Sequence, residues 1–182
     1  MFVSDLAAVT AWAASVLLIA SGVAKLRRTE PSSRALAAAR LPSGAPVVRT
    51  LAVAETSVGV AFVLRPAPVT ALLLAAMYVA FAVFLVALLR RPAEASTCGC
   101  LGDRQAPPSR LHVGMDLIAA AAAIAVATLS ATGTAPPSFL AEAGRLGWRG
   151  VPFVVGVGLA AWLGTLAVAH LPNLFGAWRA PA

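Results

Sequence analysis

Residues 69–89 read VTALLLAAMYVAFAVFLVALL, with no charged side chain anywhere from Val69 to Leu89. As a helix rising about 1.5 Å per residue, this stretch is roughly 31 Å long and matches the hydrocarbon core of a bilayer. A helix this apolar around its circumference is buried in lipid or in a very large protein, and a chain of 182 residues is not the latter. Arg90 and Arg91 close the stretch, and Arg65-Pro66-Ala67-Pro68 leads into it. Proline cannot continue a helix but suits the first turn of the next, so the tetrapeptide is a tight turn between antiparallel helices.

Further spans lie on both sides of this one. Leu6 to Ala24 is uncharged and preceded by Asp5 rather than by a base, which reads as a permanent anchor and not a cleaved leader. A shorter candidate, about 50–64, lies between Arg49 and Arg65 and contains Glu55; an interfacial or re-entrant helix competes with a full span there. A fourth span is expected over about 113–131 and a fifth over about 151–169, separated by a loop with Pro136, Pro137 and Gly144. The expected fold class is therefore all-α, a polytopic membrane helical bundle. Residues 1–135 form a four-helix core, and residues 136–182 add a loop, the fifth span and a short tail. Small residues at four-residue spacing (Ala7, Ala11 and Ser15; Ala119, Ala123, Ala127 and Ala131; Gly156, Ala160 and Gly164) favour close packing of the first, fourth and fifth spans. No internal repeat is present.

Composition agrees. Apolar residues make up 60% and charged residues 12%, with a mean hydropathy of +0.86; a soluble chain needs about a quarter charged residues. Disorder, collagen, a disulfide-rich secreted module and a soluble nucleic-acid binder are excluded, despite a net charge of +7. Membrane proteins concentrate Lys and Arg in cytoplasmic loops, so basicity here is first a matter of orientation.

Five spans fix a parity. The first span ends, the second begins, the third ends and the fourth begins at one face, designated X; the N-terminus, the proline turn and the loop after span four share the other face, Y. Lys25, Arg27, Arg28, Arg34, Arg40, Arg49, Arg90, Arg91, Arg104, Arg110 and Arg179 fall at X, against Arg65, Arg145 and Arg149 at Y. This asymmetry places X in the cytoplasm.

The two cysteines stand one residue apart, in Thr97-Cys98-Gly99-Cys100-Leu101-Gly102, between the third and fourth spans. Gly99 and Gly102 give that segment the backbone freedom a tight thiol pair requires. Three chemistries fit. The pair can close a strained, exchange-prone disulfide; it can present two thiolates to a soft metal ion such as Cu(I); or it is inert. Redox exchange leads, because Arg90, Arg91, Arg104 and Arg110 supply the positive charge that favours thiolate. A zinc site would need more ligands. His112 and Asp116 share one face of a helix beginning near Arg110, where His112 could move protons for the thiols or simply sit at an interface. Lys25 and Glu55 lie near the X ends of adjacent spans and are expected to pair, because a carboxylate in lipid is costly alone. That pair is either a brace between helices or a polar site for protons, a quinone or a substrate. No nucleotide-binding glycine loop, carboxylate pair for hydrolysis or heme-attachment motif is present.

Ser21-Gly22-Val23-Ala24-Lys25-Leu26 closing a first span, Glu55 opening a second, and Cys98-Gly99-Cys100-Leu101-Gly102 before a later one together resemble the methylamine utilisation protein MauE family, within the DoxX-like membrane proteins. The resemblance covers roughly residues 5 to 132, and Leu101 stands where family members usually have Phe. It implies Lys25, Glu55, Cys98 and Cys100 as motif positions. It also implies an accessory protein of the bacterial plasma membrane that works with a thioredoxin-like partner on a disulfide-bearing client, in the namesake case a methylamine dehydrogenase subunit. Maturation of that kind takes place outside the cytoplasm and would put X there, against the charge asymmetry. The alternative class is a non-catalytic binding or transport component in which the cysteines ligate a soft metal ion. The partners expected are the lipid bilayer, the thioredoxin-like protein and the client, and no nucleic acid.

Overall fold

A computed structural model describes residues 2–91, 108–134, 136–152, 154–159, 161 and 163. The described residues contain helices and no strand: α1 (Phe2–Arg27), α2 (Glu30–Ala38), α3 (Ala45–Leu64), α4 (Pro68–Leu89), α5 (Arg110–Ala131) and α6 (Phe139–Arg145), followed by a 3-10 turn at Gly147–Arg149 and a short apolar helix α7 (Gly150–Leu159). Four of them, α1, α3, α4 and α5, are long and apolar enough to cross a membrane.

The second span is longer than the sequence reading allows. Gly44 caps α3 in extended conformation and Pro46 occupies its first turn, so the helix starts at Ala45 and runs for 20 residues. Arg49 lies inside this helix rather than before it. Glu55 is consequently about 15 Å from the helix start, close to mid-span. The proline turn is as expected. Ala67 precedes α4 in extended conformation, and the Thr70 hydroxyl accepts the Ala67 N–H (3.0 Å) while donating to the Arg65 carbonyl (2.7 Å).

The connection between α1 and α3 holds α2, a short polar helix whose Ser32 and Ala35 are buried. Its end is a reciprocal pair of bonds, Leu41 N–H to Leu36 O (2.9 Å) and Arg40 N–H to Ala37 O (2.8 Å), with Arg40 in the left-handed region at φ 60°. Ala38 and Ala39 pack beside Phe84 and Leu88, which seats α2 on the X end of α4.

The four long helices form a ring in which α1 packs on α3, α3 on α4, α4 on α5, and α5 on α1. The Ser130 hydroxyl at the end of α5 donates to the Pro66 carbonyl in the α3–α4 turn (3.1 Å), which fixes that turn and the C-terminal end of α5 at the same end of the bundle, Y. The start of α5 and the end of α4 therefore meet at X. Many interior positions are small, among them Ala11, Ser15, Ala71, Ala75, Ala120, Ala123 and Ala127. Large branched side chains such as Val53, Val60, Leu72, Val83, Ile118 and Ile124 are exposed. Small residues inside and bulky aliphatic residues outside is the distribution a bundle adopts when its solvent is lipid.

The α1 and α5 stripes expected from the sequence line the interior, except that Ala131 is exposed. The Gly156 stripe does not behave that way, since nothing lies within 4 Å of where a Gly156 side chain would begin; Ala160 and Gly164 fall outside the described residues. The expected fifth span, 151–169, is only partly described. Its visible portion is α7, whose Val157 joins the bundle core.

Candidate functional site

Glu55 lies near the middle of α3, and the fold supplies its partner. Lys25 Nζ donates to Glu55 Oε2 at 2.7 Å, with Lys25 4% and Glu55 0% exposed. Helix geometry explains how residues from different depths meet. Side chains tilt toward the N-terminus of their own helix, so Lys25 points from the X end of α1 inward and Glu55 points from mid-α3 toward X. Ser21, one turn before Lys25, accepts a second hydrogen bond from Nζ at 2.5 Å, and Nζ stands 5.5 Å from the centroid of the Phe81 ring, within reach of its negative face.

Two glycines permit this meeting. A Cβ on Gly22 would sit 2.7 Å from the Ala52 carbonyl oxygen and closer still to the Thr56 hydroxyl; one on Gly59 would sit 2.9 Å from the Ser15 carbonyl oxygen. The backbones of α1 and α3 touch at these two notches. Neither position was singled out for close approach by the sequence reading. The available signal was that each is the single glycine of its helix, three and four residues away from the charged position it serves.

Tyr78 was also missed. It is the chain's one tyrosine, and from α4 it reaches across the diagonal of the ring to donate to the Ala14 carbonyl on α1 at 2.6 Å. Its ring meets Phe81 edge-on at a centroid distance of 6.0 Å. The carboxylates of Glu55 and Asp116 both lie close enough to act on it electrostatically. Tyr78→Phe is expected to lower stability by about 0.6–1.5 kcal/mol, measured by denaturation in mixed micelles, because one interhelical hydrogen bond is lost without a cavity.

His112 and Asp116 occupy one face of α5 as expected. The helix begins at Arg110, capped by Ser109, whose hydroxyl oxygen accepts the His112 N–H at 3.4 Å. His112 is buried at 5% exposure rather than lying open at the interface. Its Nδ1 is 2.6 Å from the Ser109 hydroxyl, and its Nε2 has no hydrogen-bond partner among the described residues. The X half of the bundle therefore gathers Lys25, Glu55, Tyr78, Asp116 and His112. Cys98, Gly99, Cys100 and Gly102 lie outside the described residues, as do Arg104 and Arg179. The segment that carries the cysteines follows Arg91, just past the end of α4, and precedes Pro108, just before α5, both at X.

Among the described residues no group of three or more His, Cys, Asp or Glu is arranged to hold a metal ion. At Y, α6 folds back so that Phe139 meets Trp12 edge-on at 5.8 Å, and Arg145 makes a two-point contact with Glu142 (2.6 and 3.0 Å). That hydrogen-bonded guanidinium holds the Glu142 carboxyl below its ordinary value.

The family model described as methylamine utilisation protein MauE matches residues 3–169. The chain belongs to this family, and the match extends beyond the part that the motifs alone cover to include α7. No curated protein and no solved structure matches the chain.

Proposed function

From that membership we propose that this multi-pass MauE-family membrane protein is a thiol-disulfide exchange protein. Cys98 and Cys100 react with a thioredoxin-like partner and so support maturation of a disulfide-bearing client. The observation that carries the reading is the spacing of the chain's two cysteines, one residue apart, in a segment whose two ends meet at the face that also gathers His112, Lys25 and five arginines of the described loops and helix ends, Arg27, Arg28, Arg90, Arg91 and Arg110. Positive charge favours thiolate, and the thiolate is the attacking species.

In the exchange, one thiolate of the pair attacks a sulfur of the partner's disulfide. The S–S bond breaks, the leaving sulfur departs as a thiolate that takes up a proton, and a mixed disulfide forms. The second cysteine then displaces the partner, which leaves as a dithiol while Cys98 and Cys100 become a disulfide. Run in reverse, the same steps reduce the pair at the partner's expense. Charge asymmetry favours the cytoplasm of a bacterial cell for this face, where the partner would be a reductant.

The test is covalent trapping. A thioredoxin-like partner lacking its resolving cysteine should accumulate as a mixed disulfide with whichever of Cys98→Ser and Cys100→Ser keeps the attacking thiol, should be released by the wild-type chain, and should not be trapped when both cysteines are replaced. A pair that stays reduced across glutathione buffers and instead takes up Cu(I) stoichiometrically overturns the reading in favour of a metal-binding component. Membrane-impermeant maleimide applied to intact cells fixes the side: labelling before lysis sinks the cytoplasmic placement.

A further inference from the structure

Glu55 has a second carboxylate oxygen. Oε2 is held by Lys25, but Oε1 is buried and has no hydrogen-bond partner among the described residues. An ionised carboxylate offers about four acceptor positions, and leaving a buried acceptor bare costs about 1–3 kcal/mol. A proton placed on Oε1 removes the bare charge at that atom while the contact between Oε2 and Lys25 Nζ survives.

The charged and titratable groups around Glu55 come from three helices. Lys25 approaches from α1. Tyr78 comes from α4, with its hydroxyl already committed to the Ala14 carbonyl. Asp116 on α5 acts electrostatically on the same tyrosine, with His112 one turn nearer X. On α3 itself, the neighbours facing inward are Val48, Ala52, Gly59 and Phe62, none of them titratable.

The two directions along the bundle axis differ. Toward X, Val48, Leu85 and Leu88 are packed as tightly, each no more than 2% exposed, but that end also holds polar groups: Asp116, which is partly exposed, and His112 in the first turn of α5. Toward Y the interior is closed by Leu18, Phe62 and Leu74, each no more than 1% exposed, and these lie one to two turns below Lys25, Glu55 and Tyr78 on their respective helices. An apolar plug of that kind carries neither water nor protons.

We propose that Glu55 is an intramembrane proton-binding site, loaded at Oε1, which exchanges with face X alone. The proton comes from water at that face and returns to it, and no electron or other group is transferred. The site stands on the geometry of the four spans and is independent of what Cys98 and Cys100 do.

Infrared difference spectroscopy of the full chain in lipid nanodiscs tests it. Acidification should produce the C=O stretch of a protonated carboxyl that is not hydrogen-bonded to water. This band should shift when glutamate is labelled with carbon-13 and vanish in Glu55→Gln. Should Glu55→Gln fail to fold, a variant in which Glu30, Glu94 and Glu142 are all replaced by Gln leaves Glu55 as the one glutamate, and its carbon-13-sensitive band should persist. In proteoliposomes of known orientation, a pH jump on the X side should raise the band and a jump on the Y side should not. Absence of a glutamate band of this type, its persistence in Glu55→Gln, or a response to the Y side overturns the proposal.

Discussion

Lys25→Met is expected to destabilise the bundle by about 3–5 kcal/mol, the cost of leaving a buried charge without its partner. The magnitude follows from burial. Glu55 is wholly enclosed, its place near the middle of α3 gives its carboxylate no route to the headgroups, and the Lys25 ammonium lies 2.7 Å from it. An exposed pair such as Arg34 with Glu30, 73% and 70% exposed, should by contrast change stability little when cut. Removing both charges together, as Lys25→Met with Glu55→Leu, should recover most of the loss, because well-packed apolar replacements for a buried ion pair are often neutral or better. Denaturation midpoints in mixed micelles for the two single variants and the double variant form the necessary cycle. A Lys25→Met protein as stable as the wild type would mean that the pair is not enclosed as described.

Gly22→Leu should cost about 3 kcal/mol or more and separate the same pair without touching either charge. The atoms nearest a Gly22 side chain include the Ala52 carbonyl oxygen at 2.7 Å and the Thr56 amide nitrogen at 3.1 Å. Both are backbone, which cannot swing aside, so α1 and α3 must part. Gly114→Ala is the natural control. Nothing lies within 4 Å of a side chain there, and replacing a mid-helix glycine by alanine should leave stability unchanged or raise it by about 1 kcal/mol. Crosslinking between cysteines introduced on facing positions of α1 and α3 would report the separation directly, with efficient closure in the control and poor closure in Gly22→Leu.

Most of the architecture was legible because lipid imposes a simple rule on composition. Two of the four spans announce themselves as uncharged stretches, and the Pro66 and Pro68 turn has one sensible geometry. The second span was misjudged in length because Arg49 looks like a boundary. Proline in a first turn begins a helix, and an exposed arginine near a helix end can reach the headgroups while its backbone is already inside. The polar helix α2 carries no comparable signal, since its nine residues bury little more than Ser32 and Ala35.

The pairing of Lys25 with Glu55 was legible for the opposite reason, that an intramembrane charge demands a partner and few candidates existed. Tyr78 was not, because its acceptor is a backbone carbonyl, and every residue offers one of those. Gly22 and Gly59 act through what they lack, so their role shows only when the facing helix is in place. For His112, spacing gave the helix face correctly but not the depth, which depends on how α5 leans against α1 and α4.

The division of the buried charges between α1 and α3 also bears on how the chain is made. On its own, α3 presents a carboxylate near mid-membrane, and transfer of such a residue from the insertion machinery into lipid costs about 2.5–3.5 kcal/mol on biological insertion scales. α1 is synthesised first and, with its lysine two residues from its end, can settle by itself and let the ammonium reach the headgroups. When α3 follows, the ammonium folds inward and the carboxylate enters already neutralised. The order of the two charges along the chain thus makes the first helix a receptor for the second during biosynthesis.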